Sequence, residues 1–139
     1  MSATLQHQEP LWLLGAGGHG KVVLSMLCLR GVPVAGILDD EPSFWGKKLL
    51  GFQIVGPVDF LQTLEDPLAI VAVGENAIRR KIVQAYPKNR WFSATHPAAC
   101  IDPSVALGEG TVVSAGAVLL AESKLGNHVI VGAGATVSH

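Results

Sequence analysis

Charge, cysteine and long apolar runs are all scarce in this 139-residue chain. Only 15% of its residues are charged, and ten basic against eleven acidic side chains leave a net charge of −1. Without a basic field the chain cannot hold nucleic acid or an anionic membrane by charge alone, which excludes a general DNA binder. Two cysteines, Cys28 and Cys100, are too few and too far apart for a disulfide framework or a zinc site. No metal is therefore expected, and reduced thiols in a cytoplasmic protein are the expectation. Residues 1–10, read as an N-terminal tail, carry Gln6, His7, Gln8 and Glu9 and lack the apolar core of a signal peptide. No uncharged stretch is long and apolar enough to span a bilayer. What remains is 49% hydrophobic residues with 16 glycines and 8 prolines. That composition suits a packed core, and the length suits one ordinary domain or two small ones.

The texture changes near His96-Pro97, so a Rossmann-like domain is expected over residues 11–96 and a second unit over 97–139. In the first, Leu11-Trp12-Leu13-Leu14 reads as a buried strand, and a glycine turn leads into a helix over residues 21–30. Further strands are expected over residues 34–38, 52–56 and 68–74, with a short helix over 57–64. Asn76 is placed to cap a last helix that Pro87 ends, on which Ile78, Ile82, Ala85 and Tyr86 share a face. Strands alternating with helices imply a parallel sheet covered on both sides.

The second unit is a repeat. Every sixth residue from Ile101 (Leu107, Val113, Leu119, Leu125, Val131, Val137) is aliphatic, and the residue after it is mostly small or polar. A period of six is the signature of a β-helix whose aliphatic residues point inward, three short strands making one triangular coil. Glycine at the position after each aliphatic residue is expected where the backbone turns. Two coils are too few to close a core alone, and the pattern runs to His139 in mid-hexad. The expectation is a fragment of a longer chain, or a side covered by a partner subunit.

Chemistry concentrates in a few places. Gly15-x-Gly17-x-x-Gly20, between a strand and a helix, has the context of a phosphate-binding turn: Gly15, Gly17, Gly18, His19, Gly20 and Lys21 would meet a diphosphate at the helix N-terminus. The spacing to Lys21 also resembles a P-loop, but Val22 stands where magnesium needs Ser or Thr, which excludes an NTPase. Asp39 and Asp40 end the second strand, where an acid accepts from ribose hydroxyls, or simply forms a solvated loop. Gly74 and Asn76 lie on the same carboxyl edge, Asn76 as ligand contact or plain cap. Residues 79–81 read as a solvated helix face, with Arg79 near enough to the strand end to reach a phosphate. Among the histidines, His96 reads as structural and His128 as exposed on the coil surface. His139, projecting outward from a rigid edge, could serve as a general base, although a surface histidine often has no role.

Taken together, the glycine turn with His19 and Lys21, Asp39-Asp40, residues 72–76 with Arg79, His96-Pro97 and the hexads through His139 resemble the NeuD/PglD family of bacterial sugar O- or N-acyltransferases, which carry a left-handed β-helix. The resemblance implies a Rossmann-like domain followed by the first two coils of that β-helix. It implies a nucleotide-linked sugar, typically UDP-linked, in the N-terminal domain, with the glycine turn at the diphosphate and Asp39 or Asp40 near the uridine. It implies His139 as the base, acetyl-CoA or another acyl-CoA as co-substrate with no tightly bound cofactor, and a homotrimer with acyl-CoA between neighbouring β-helices. The acidic residue that orients the family's histidine, and the coils after it, have no counterpart in these 139 residues, so this chain is expected to be inactive or weakly active alone. A nucleotide-sugar-binding module without catalysis and an NAD-binding domain are the alternatives.

Overall fold

The structure, a computed structural model, describes residues 9–139; of the expected tail, residues 1–8, including His7, lie outside the described residues. Six strands form the first sheet: β1 (Leu11–Leu14), β2 (Val34–Leu38), β3 (Lys48–Leu49), β4 (Phe52–Gly56), β5 (Leu68–Val71) and β6 (Arg90–Trp91). Their order is β3-β4-β2-β1-β5-β6, parallel throughout except for β3 against β4. Side chains alternate across this sheet. Leu11, Leu13, Ile37, Leu68 and Ile70 pack on one side with Val23, Leu24, Met26 and Leu27 of helix α1 (Gly18–Leu29). Leu14, Leu38, Ala69 and Val71 pack on the other, with Ile82 and Val83 of helix α2 (Asn76–Ala85) and the 3₁₀ turn Val58–Thr63. Both faces of the central strands β1 and β5 are covered, as near-continuous apolar strands require.

Three differences from the sequence reading are local. Helix α1 begins at Gly18, not at residue 21, because glycines at a helix start cost little when their N–H groups have no intrahelical acceptor anyway. Strand β5 ends at Val71, leaving residues 72–75 as a loop over the sheet edge. Asn76 is not the cap: Glu75 holds that position without a side-chain bond, and Asn76 is the first helical residue.

The hexads build a three-walled prism. One wall is β7 (Ala94–Thr95), β10 (Val112–Val113) and β13 (Ile130–Val131); the second is β8 (Cys100–Ile101), β11 (Val118–Leu119) and β14 (Thr136–Val137); the third is β9 (Ala106–Leu107) and β12 (Lys124–Leu125). Ile101, Leu107 and Val113 fall on separate walls, and Leu119 lies in register over Ile101, Leu125 over Leu107 and Val131 over Val113. This is the Rossmann-like domain that the strand–helix alternation predicts, followed by the start of the left-handed β-helix that the resemblance implies. The first wall packs on the sheet domain: Ala94 and Val112 join the α1-side core, with Ile130 packed against it.

The turn residue differs from the expectation. The left-handed backbone falls three places after each aliphatic residue from Leu107 to Val131, at Gly110, Gly116, Glu122, His128 and Gly134, a period of six. Gly108, one place after Leu107, is small for another reason: a Cβ there would meet the Gly126 carbonyl oxygen of the next coil at 2.3 Å. No helix among the described residues is long and apolar enough to cross a membrane.

Candidate functional site

Strand order reverses at β1. The chain runs outward through β2 and β4, then returns to place β5 on the other side of β1. In open parallel sheets ligands settle outside the carboxyl ends of the strands at such a reversal. Here the glycine turn after β1 and the loop 72–75 after β5 border that place, joined by the Ala72 N–H, which donates to the Leu14 carbonyl at 2.7 Å.

Each glycine of the turn has its own task. Gly15 has φ +126°, and a Cβ on it would meet the Ala72 carbonyl oxygen at 2.6 Å; one on Gly20 would meet the Gly15 carbonyl oxygen at 2.2 Å. These two fold the turn. Gly17 and Gly18 are exposed, and a Cβ on either would meet nothing within 4 Å. That open side carries the first N–H groups of α1, which has no acidic residue in its first turn and no side-chain cap. An anion there meets free donors and the positive end of the helix dipole.

Asp39 and Asp40 are less free than their position suggests. Asp39 accepts from the Ala16 N–H at 2.7 Å and from the Glu41 N–H at 2.8 Å, while its carbonyl accepts from the Trp45 indole at 2.7 Å. Asp40 accepts from the Val58 N–H at 2.9 Å. Both acids brace the crevice's rim, and Asp40 remains exposed.

Arg79 is not on a solvated face. It is only 9% exposed, and its guanidinium donates to the carbonyls of Val73 (3.1 Å) and Gly74 (3.2 Å), to Asn76 Oδ1 (2.5 Å) and, across the domain boundary, to the His128 carbonyl (2.9 Å). Four of its five N–H donors are thereby engaged. His128 is likewise not an exposed surface residue: its ring meets Trp91 edge-on at 5.2 Å and lies over Gly110, with Nδ1 buried and unpartnered among the described residues. A residue in the left-handed conformation turns its side chain off the line that a hexad count predicts, which hid this contact from the sequence. Arg30 also ties the domains, donating to the Thr95 carbonyl and hydroxyl at 2.9 and 3.1 Å. His96 holds a local turn, its Nδ1 accepting from the Ala98 N–H at 2.9 Å.

A cleft of about 560 Å³ separates the start of α1 from the β-helix, lined by His19, Lys21, Ser25, His96, Ser114 and Gly132 among others. His19 Nε2 is buried with no partner among the described residues. Burial, and then the charge of Arg79, push the His19 imidazole below its usual range. Burial does the same to His128, with Arg79 adding to the effect and Glu109 opposing it. Both rings therefore take up a proton less readily in the fold than in the unfolded chain, where histidine titrates near pH ~6.5, so the unfolded chain binds more protons as pH falls below that value. The stabilisation is whole above pH ~6.5 and fades toward the lowered folded values. The thermal midpoint should fall between pH 7.5 and pH 5.5 (both about one unit from the ordinary histidine value), and His19→Gln with His128→Gln should shrink that fall.

His139 stands apart. It follows β14 at the corner between the second and third walls, exposed, with no hydrogen bond among the described residues. The sheet domain covers the first wall, so this corner is opposite it. The structure thus gathers Gly15, Gly17, Gly18, His19, Gly20, Lys21, Asp39, Gly74, Asn76 and Arg79 around one sheet edge, with Asp40 at its rim, and leaves His139 outside.

Comparison with known proteins adds the following. Residues 10–86 match the family model described as the PglD N-terminal domain. The chain is 33% identical over 111 residues to a UDP-N-acetylbacillosamine N-acetyltransferase from Bacillus subtilis, a match covering 74% of this chain and 50% of that protein. Among solved structures, a histidine-to-asparagine variant of perosamine N-acetyltransferase from Caulobacter crescentus, in complex with CoA and GDP-perosamine, superposes with a TM-score of 0.83 at 35% identity, covering 94% of this chain and 63% of that one. The acetyltransferase domain of PglB from Neisseria gonorrhoeae FA1090, in complex with acetyl coenzyme A, gives 0.83 at 37% identity, covering 94% and 65%. The chain spans about half to two thirds of the length of these relatives.

Proposed function

Because the chain belongs to the PglD N-terminal domain family, we propose that it is the nucleotide-sugar-binding part of a sugar acyltransferase that carries acetyl from acetyl-CoA to an amino or hydroxyl group of that sugar. The observation that supports this most is the crevice at the strand reversal, where Gly17 and Gly18 leave an open helix N-terminus for a diphosphate. The names of the relatives point to amino sugars, linked to UDP in one and to GDP in another. A cytoplasmic role in glycan or glycoconjugate synthesis fits such substrates.

In the proposed reaction the sugar nitrogen or oxygen attacks the thioester carbonyl, the acyl–sulfur bond breaks, and the acceptor's proton passes to His139 and on to the departing CoA sulfur. Backbone N–H groups would stabilise the tetrahedral oxyanion. A sugar held on the sheet domain lies on the opposite side of the prism from its own chain's His139, so the base comes from a neighbouring copy. That arrangement supports the homotrimer. A positioned base is worth about 10²–10⁴-fold, and it must be held in one tautomer to act.

Calorimetric titration with UDP- and GDP-linked amino sugars, together with release of CoA thiol from acetyl-CoA, tests the reading. The 139-residue polypeptide should bind a nucleotide sugar and release thiol slowly at best. Rapid turnover that His139→Ala abolishes would contradict the weak activity, and a preference for NAD over the sugar nucleotides would overturn the crevice's assignment.

A further inference from the structure

Trp45 occupies the crevice's rim in an unusual state. It is 40% exposed, whereas Trp91 is 8% exposed and Trp12 is half-buried. Its one polar atom, the indole N–H, is already bonded to the Asp39 carbonyl. What it shows to solvent is therefore ring carbon, apolar surface that gains by being covered. The same Asp39 grips the glycine turn through the Ala16 N–H. Two hydrogen bonds through one residue thus tie the indole to the turn proposed to hold the diphosphate.

The acids proposed near the nucleoside are largely committed. Both carboxylate oxygens of Asp39 accept main-chain N–H groups, and one oxygen of Asp40 does the same. Beside the carboxyl end of β2, the exposed face of Trp45 is a recognition surface that no hydrogen bond commits. Resting on the nucleotide-sugar reading above, the geometry points to Trp45 as the wall on which the base of the nucleotide stacks. An indole stacks on any base through its π-face, without reading the hydrogen-bonding edge, so uracil and guanine are both served. The bond to Asp39 fixes the ring in advance, which lowers the cost of ordering it on binding.

The test compares GDP and UDP binding by calorimetry in wild type, Trp45→Leu and Trp45→Phe, with thermal melting to verify that each variant folds. Trp45→Leu should weaken both nucleotides about tenfold, within the range that base–aromatic stacking yields. Trp45→Phe keeps a flat ring while losing the N–H, and should stay within about threefold of wild type, since stacking and not the hydrogen bond carries the effect. Nucleotides should also quench the intrinsic fluorescence of wild type, and Trp45→Phe should bind them without that quench. Wild-type affinity in Trp45→Leu overturns the stacking while leaving the crevice as the nucleotide site. Equal losses in Trp45→Phe and Trp45→Leu overturn it in favour of the hydrogen bond to Asp39. A wild type that binds neither nucleotide overturns both the stack and the site.

Discussion

Gly20→Ala should lower the thermal unfolding midpoint by about 10 °C, the equivalent of about 3 kcal/mol in a domain of this size. The added methyl would meet the Gly15 carbonyl oxygen at 2.2 Å, and that obstacle is backbone, which no rotamer change can move aside. Gly15 has no room to give, since its own φ of +126° is reserved for glycine and its Cβ side faces the Ala72 carbonyl. Gly15→Ala should accordingly cost about as much, combining roughly 1–3 kcal/mol of backbone strain with the clash. Gly17→Ala is the control: its φ is −83°, nothing lies within 4 Å, and the midpoint should move by under about 1 kcal/mol in equivalent stability. If a bulky residue at Gly17 leaves the midpoint unchanged but weakens GDP and UDP binding, the two halves of the fingerprint are separated into folding and recognition. Equal melting of all three alanine variants would refute that division.

The division explains what the sequence could and could not disclose. Strands β1, β2 and β4 are readable to the residue, because each is a mostly apolar run bounded by glycine, proline or aspartate. The prism is readable because inward stacking at 18-residue intervals forces the same residue type to recur six places apart. Strands β3 and β6 are two residues long, too short for any periodicity, and exist through pairing with β4 and β5. The crevice's glycines were visible as a pattern, but a spacing cannot tell a glycine that avoids a clash from one that leaves space for a ligand. Trp45 had no signal of its own. Its place at the rim depends on a carbonyl six residues earlier, and only the folded loop shows that bond. The solvated reading of Arg79 and the exposed reading of His128 failed together, since each is buried by the other's domain.

That mutual burial sets the second large effect. Arg79→Ala should destabilise the chain by about 3 kcal/mol, because charge-assisted bonds to buried carbonyls are worth roughly 1.5–3 kcal/mol each and some of the acceptors left behind can recruit water. Gly74 and Asn76 are exposed and find water readily; the Val73 and His128 carbonyls are the costly ones. Arg79→Lys should recover less than half of the loss. An ammonium is a point charge, whereas the guanidinium's fork reaches four acceptors spread over two domains. The domains should also part company in a measurable way. In wild type the His128 carbonyl is held from α2 and the Thr95 carbonyl from Arg30, so the sheet domain grips the prism at two separate coils. Removing Arg79 leaves the Arg30 hydrogen bonds and the apolar packing of the first wall, and amide hydrogen exchange should rise in residues 72–76 and 126–130 before it rises in β1 or β2. Exchange that rises uniformly through both domains would mean that Arg79 serves general stability and not the seam. Exchange confined to the seam would identify it as the part that holds the crevice's outer lip in fixed relation to the coils.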